Sequence, residues 1–194
     1  MKGTLRVIAG TAKGLHLKTV PGDSTRPITD IVKEALFNII SAEILGNKVL
    51  DLFGGTGAVS IEALSRGAES AVIIDKSQTA VSVIRQNLET ARFAKRAKVI
   101  CGDAFSYLSG QAKDTYDLIY IAPPQYKQMW QKALKLLDQN LAWLEADGQI
   151  IVQINPNEWV ELPLENLQVF DQRKYGDTLL IFYERKEKPE SKAA

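Results

Sequence analysis

From residue 49 to residue 154, short apolar runs alternate with amphipathic stretches. The runs 49–53, 71–75, 98–101, 116–121 and 149–154 are four to six residues long and rich in Val, Ile and Leu. That pattern predicts strands buried on both faces. Between them, 58–66, 78–92 and 127–139 carry apolar residues at helical spacing. Strands alternating with helices in this way predict a parallel sheet covered by helices on both sides.

The two ends of the chain break the alternation. Residues 4–9 and 15–18 flank Gly10 and Gly14 and read as a short β-hairpin, an N-terminal extension to the main sheet. Residues 29–45 place Val32, Leu36, Ile39 and Ile40 at helical spacing, with Gly46 beyond the end. Near the C-terminus, 168–173 and 178–183 flank Tyr175-Gly176-Asp177 and predict an antiparallel hairpin. Five parallel strands closed by such a hairpin form the plan of the seven-stranded, mostly parallel sheet of Rossmann-like class I methyltransferases. A dehydrogenase sheet lacks the hairpin. The expected organisation is a single α/β domain over residues 1–185, with 1–24 as the hairpin extension and 186–194 as a flexible polar tail.

Composition narrows the setting. With 194 residues, 45% hydrophobic and 24% charged, the chain has the balance of one soluble domain. No apolar run approaches the roughly 20 residues of a membrane span, and the opening residues lack the apolar centre of a secretory signal. A cytoplasmic monomer without a membrane partner is expected. Cys101 is the only cysteine, which excludes an intramolecular disulfide and a cysteine metal cluster; at a strand end it is expected to be a small buried hydrophobe. No metal site is expected. The net charge is only +1, but residues 1–33 hold six basic against two acidic residues, and 85–98 hold five against one. Such patches suit phosphate contacts, although a charged run is also an ordinary solvated face.

The candidate chemistry lies at strand ends. Asp51-Leu52-Phe53-Gly54-Gly55-Thr56-Gly57 spans the turn from the first strand into its helix, where glycines let a ligand lie against the main chain and a helix N-terminus offers free N–H groups. Asp75 ends the second strand, 18 positions after Gly57, where a carboxylate can accept ribose hydroxyls. Asp103 follows the third strand, where an adenine amine can be received. Asp51 ends the first strand and suits a cationic cofactor end, such as the methionine ammonium of S-adenosylmethionine, better than a pyrophosphate. After the fourth strand, Ala122-Pro123-Pro124-Gln125-Tyr126 forms a rigid loop, because consecutive prolines lock φ and hold the preceding residue extended. Amino-methylating enzymes commonly carry Asn or Asp, Pro-Pro and an aromatic residue here, so that acceptors help an exocyclic amine pyramidalise while the ring stacks on the base. Ala122 offers no side-chain acceptor. That leaves the Ala122 or Pro123 carbonyl or the Gln125 amide for the task, with Tyr126 stacking. His16, the single histidine, is expected to be exposed; Trp143 is read as packing, while Trp130 lies close enough to the Pro-Pro loop to be weighed as a substrate contact.

These segments resemble the bacterial 16S rRNA guanine-N2 methyltransferases of the RsmD type, over nearly the whole length from Arg6 to Phe182. The resemblance rests on Arg6-Val7-Ile8-Ala9-Gly10 with Lys13-Gly14, on Thr25-Arg26-Pro27-Ile28-Thr29-Asp30, and on 50–58 continuing through 62–68. It rests also on Arg173-Lys174-Tyr175-Gly176-Asp177-Thr178-Leu179. It implies S-adenosylmethionine as cofactor, bound by Asp51, Phe53, Gly55, Gly57, Asp75, Asp103 and Thr29. It implies a 16S rRNA or 30S-particle substrate gripped through phosphates by Arg6, Lys13, Lys18 and Arg26. Thr29 reads equally as a helix cap. The departure is Ala122, where the family more usually has Asp. Two other readings therefore stay open: a non-catalytic RNA-binding or ribosome-assembly protein on this fold, and a methyltransferase acting on adenine N6 or a protein glutamine.

Overall fold

In the computed structural model, residues 5–21, 28–40 and 44–187 are described. Among them, seven strands form one sheet: β1 (Lys48–Asp51), β2 (Ser70–Asp75), β3 (Ala97–Cys101), β4 (Tyr116–Ile121), β5 (Leu144–Ile154), β6 (Leu167–Tyr175) and β7 (Thr178–Arg185). Their order is β3-β2-β1-β4-β5-β7-β6. The first five are parallel, and β7 inserts antiparallel between β5 and β6. Five α-helices accompany them: α1 (Asp30–Ile39), α2 (Ala58–Ser65), α3 (Gln78–Thr90), α4 (Ala104–Leu108) and α5 (Met129–Gln139). The seven-stranded, mostly parallel plan read from the apolar runs is the observed Rossmann-like class I fold.

Successive side chains of a strand point to opposite faces, and here both faces are apolar. Val49, Ile73, Leu118, Tyr120, Ile151, Leu180 and Phe182 pack into one core with α1, α2 and α3. Their neighbours Leu50, Ile74, Ile119, Ile121, Ile150, Val152 and Ile181 pack into the other with α4 and α5. Each buried aliphatic side chain contributes about 1.5–3 kcal/mol relative to exposure, so the two layers fix strand register as well as stability. The chain winds outward from β1 through β2 to β3, then returns to place β4 on the other side of β1. The carboxyl ends of β1 and β4 thereby frame the switch point at which open α/β sheets bind ligands.

Helix α2 is buried along its whole length, including Ser60, Glu62 and Ser65. The N-terminal hairpin explains why. It forms through the Arg6–His16 bridge and the bonds from Val7 N to Leu15 O and from Leu17 N to Leu5 O. Contrary to expectation it does not extend the sheet. Its outward amides instead reach the helix: Ile8 N and Ala9 N donate to the Glu62 carboxylate at 2.8 and 2.9 Å, and Ala12 N donates to Ser65 Oγ at 2.9 Å. Lys33, fully buried, lies 3.5 Å from the same Glu62 and also donates to Arg6 O. Gly10, at φ +81°, approaches so closely that a Cβ there would sit 1.9 Å from Ser65 O.

Two further expectations change. The helix predicted over 29–45 ends at Ile39, and Leu45 is exposed. Cys101 is exposed rather than buried, because β3 is an edge strand and its last residue faces solvent. No described helix is long and apolar enough to cross a membrane.

Candidate active site

A cleft of about 750 Å³ opens at the carboxyl ends of β1, β2 and β4. Asp51 forms its floor. The side chain is 2% exposed, with Oδ2 accepting from Ser60 Oγ at 3.0 Å and Oδ1 from Phe53 N at 3.3 Å. Burial raises its pKa from 3.8 to about 7, against the opposing pull of the Ser60 and Phe53 hydrogen bonds. A buried carboxylate facing a cleft is costly to ionise alone and favours a cationic partner.

The loop beyond Asp51 turns on glycine. Gly55 takes φ +54°, and a Cβ there would meet nothing nearer than Phe53 O at 4.0 Å, so its open side belongs to the cleft. Gly57, at φ +77°, is the N-cap of α2 and lies behind the wall, where it shapes the helix entry without lining the cleft. Asp75 braces this loop: Oδ2 accepts from Gly55 N and Oδ1 from Ser77 N, both at 2.8 Å. Each oxygen keeps a second lone pair for a hydroxyl. Asp103 caps α4, with Oδ1 accepting from Ser106 N at 2.9 Å; that bond holds its pKa below the ordinary carboxylate value. Phe53 meets Phe105 edge-on at 6.1 Å, and Lys132 sits 4.4 Å above the Phe105 ring. Thr29, at the rim, accepts from Val32 N at 3.4 Å as the N-cap of α1. Cap and cleft wall are thus the same residue.

The opposite wall is the loop after β4. Ala122, Pro123, Pro124 and Gln125 line the cleft. Tyr126 stands outside it, 66% exposed and in the left-handed region at φ +60°. Its N–H donates to Glu158 Oε2 at 2.7 Å. Trp130 is fully buried against Trp159 at 5.9 Å between centroids, which removes it from substrate contact. Trp143 is buried, donating to Leu108 O.

Sequence reasoning missed Tyr120 and Gln153, which line the cleft and hydrogen-bond each other through the Tyr120 hydroxyl and Gln153 Oε1. Burial, with the nearby Asp51 charge, pushes the Tyr120 phenol well above its usual pKa. Both carried a signal: Tyr120 is two residues before Ala122 and so shares its face, and Gln153 is a polar residue inside an apolar strand.

Of the basic residues, Arg6 is largely exposed and pairs with Asp30 at 3.0 Å, which places the hairpin beside the Thr29 rim. Lys13 and His16 are exposed, and Lys18 Nζ donates to Gln86 at 2.8 Å. Arg26 lies outside the described residues. In the second patch Arg96 is spent internally, donating to the Leu64 and Ala68 carbonyls and covering the Phe93 ring.

Residues 5–184 match the family described as Conserved hypothetical protein 95. The chain is 39% identical to the Bacillus subtilis protein named "Putative rRNA methyltransferase YlbH", over 94% of this chain and all of that one. It is 29% identical to the Escherichia coli ribosomal RNA small subunit methyltransferase D, over 98% of this chain and 95% of that one. The solved structure "Putative methyltransferase yhhF from Escherichia coli" superposes with a TM-score of 0.85 at 29% identity, over 95% of this chain and 99% of that one.

Proposed function

From the premise that the chain belongs to the RsmD-type methyltransferase family, we propose that it methylates the exocyclic N2 amine of a guanine in small-subunit rRNA, with S-adenosylmethionine as donor. The observation that carries this reading is the cleft itself. A buried carboxylate, two further strand-end acids and an open-sided glycine loop on one wall face a Pro-Pro loop on the other. The donor set fits the cofactor: Asp51 suits an ammonium, Asp75 the ribose hydroxyls and Asp103 an adenine amine, while Phe53, Gly55 and Thr29 complete the walls and Gly57 shapes the loop from behind. A cleft of about 750 Å³ is of ordinary size for a cofactor.

The bound cofactor would supply a methyl group on a sulfonium, whose neutral thioether would depart without an acid. The protein's work is then alignment and electrostatics. Carbonyls of the Ala122-Pro123 segment and the Gln125 amide accept from the amine N–H groups, which draws its lone pair out of conjugation with the ring. Tyr126, exposed beside the cleft, covers the extruded base. No strong base is needed, because the proton can leave to water after the methyl group has bonded. Arg6, Lys13, Lys18 and Arg26 hold phosphates and set register without reading sequence.

The test is transfer of labelled methyl into 30S particles lacking the modification, with the product nucleoside identified by mass spectrometry. N2-methylguanosine is expected. Tight cofactor binding with no transfer to any RNA would favour a ribosome-assembly role, the reading that Ala122 leaves open; label on adenine or on a protein glutamine would move the substrate.

A further inference from the structure

The loop after β4 carries two non-glycine residues with left-handed backbone, Tyr126 at φ +60° and Gln128 at φ +52°. Each is an unfavourable conformation for a residue with a Cβ and persists only where its surroundings enforce it. Upstream, Pro123 and Pro124 restrict the chain. Downstream, α5 is fixed by Trp130, buried against Trp159. Between these anchors, the Tyr126 amide donates to Glu158 Oε2 at 2.7 Å.

Glu158 belongs to the short turn Pro156–Glu158 after β5, where its other oxygen accepts from Asn155 N at 3.3 Å in a capping box. A cap requires only one carboxylate oxygen. The second makes the shorter contact, and it makes it to the loop. One side chain therefore ties the end of β5 to the strained segment, and its neighbour Trp159 ties the same turn to α5.

We propose that Glu158 is a positioning residue for methyl transfer: through the Tyr126 amide it holds the Pro-Pro-Gln-Tyr loop in the conformation that receives the base. The family's usual acid would stand inside the loop at position 122; in this chain an acid acts on the loop from behind. The role in transfer rests on the function proposed above, whereas the tie itself does not.

Two variants test it, Glu158→Ala and the isosteric Glu158→Gln, which keeps the packing but replaces one of the two accepting oxygens with a donor NH2. Amide hydrogen exchange across residues 122–129 is read first, with the thermal midpoint and cofactor affinity as controls. Exchange at Tyr126 should rise at least about tenfold in Glu158→Ala and less in Glu158→Gln, with cofactor affinity unchanged. On RNA, kcat should fall about tenfold or more in Glu158→Ala, with Glu158→Gln between it and the parent, since small misplacements of reacting groups are costly. Unchanged exchange at Tyr126 in both variants overturns the tie, whatever the substrate proves to be. Faster exchange with an unchanged kcat overturns the positioning role. A parent protein that methylates no RNA overturns the function reading instead, and the exchange result still decides the tie.

Discussion

The two walls of the cleft are held in different ways. On the cofactor side, the hydrogen bonds of the three strand-end acids span short stretches of chain: Asp51 to Phe53 and Ser60, Asp75 to Ser77 and Gly55, Asp103 to Ser106, at separations of two to twenty residues. On the acceptor side the ties are long. Tyr120 meets Gln153 across 33 positions and Tyr126 meets Glu158 across 32. The cofactor wall is a set of strand-to-helix turns, each with a hydrogen bond inside itself, two of them joined by the bond from Gly55 N to Asp75. The acceptor wall exists only once β5 is docked beside β4, and it holds strained backbone that the turns of the other wall confine to glycine.

That contrast can be broken at either wall, and the largest effect belongs to the acceptor side. The double substitution Gln125→Ala with Tyr126→Ala should lower kcat for methyl transfer by about 100-fold, from lost alignment and stacking. Cofactor affinity measured by calorimetry should stay unchanged. Transfer at the parental rate would remove both residues from the mechanism.

Next in size is Asp51→Asn, which should weaken cofactor binding about 30-fold, the scale of one lost charge-assisted hydrogen bond. Its pH signature is more specific. The unfolded chain ionises Asp51 near 3.8, whereas the folded site keeps the proton until about 7. The folded state therefore binds more protons between these values, and the cofactor-free protein should lose stability as pH rises from about 4 to about 7, then level off. Affinity for a ligand carrying an ammonium should run the other way, strengthening as pH rises through about 7. Denaturation and binding series on Asp51→Asn should lack both contributions.

Adjacent glycines give a smaller and sharper comparison. A Cβ at Gly54 would meet Ile73 Cγ2 at 2.4 Å inside the core, while one at Gly55 would enter the open cleft. Gly54→Ala should lower folding stability by about 1–3 kcal/mol with little change in ligand contacts. Gly55→Ala should cost about 1 kcal/mol from its positive φ and should weaken cofactor binding further. Equal binding losses would mean that the loop is not the cleft wall it forms here. The smallest effect is Arg6→Ala: its exposed pair with Asp30 should contribute less than about 1 kcal/mol to stability. Its loss should nonetheless reduce the salt dependence of RNA binding by about one phosphate contact.

The same contrast explains what could be read from residues alone. The sheet, helices α1, α2, α3 and α5 and the acids after three successive strands follow from apolar period and from spacing within single turns, because strand and helix geometry fixes where neighbours along the chain will point. The Pro-Pro loop was legible for the same reason, as a local restriction of φ. The five-residue α4 is too short to show a helical period and was not expected. The local signals at Tyr120 and Gln153 did not say that the two side chains meet across 33 positions, and Glu158 had no such neighbour to announce it. Nor did the seat of the N-terminal hairpin, whose glycine and amides match Glu62 and Ser65 on a helix more than fifty positions away. Cys101 was misjudged because an apolar strand reads alike at the edge and in the middle of a sheet. Those features wait on which strands pair, in what register and on which side the chain returns. That arrangement is decided by burying both faces of the sheet at once, a property of the whole packed molecule that no short window of sequence contains.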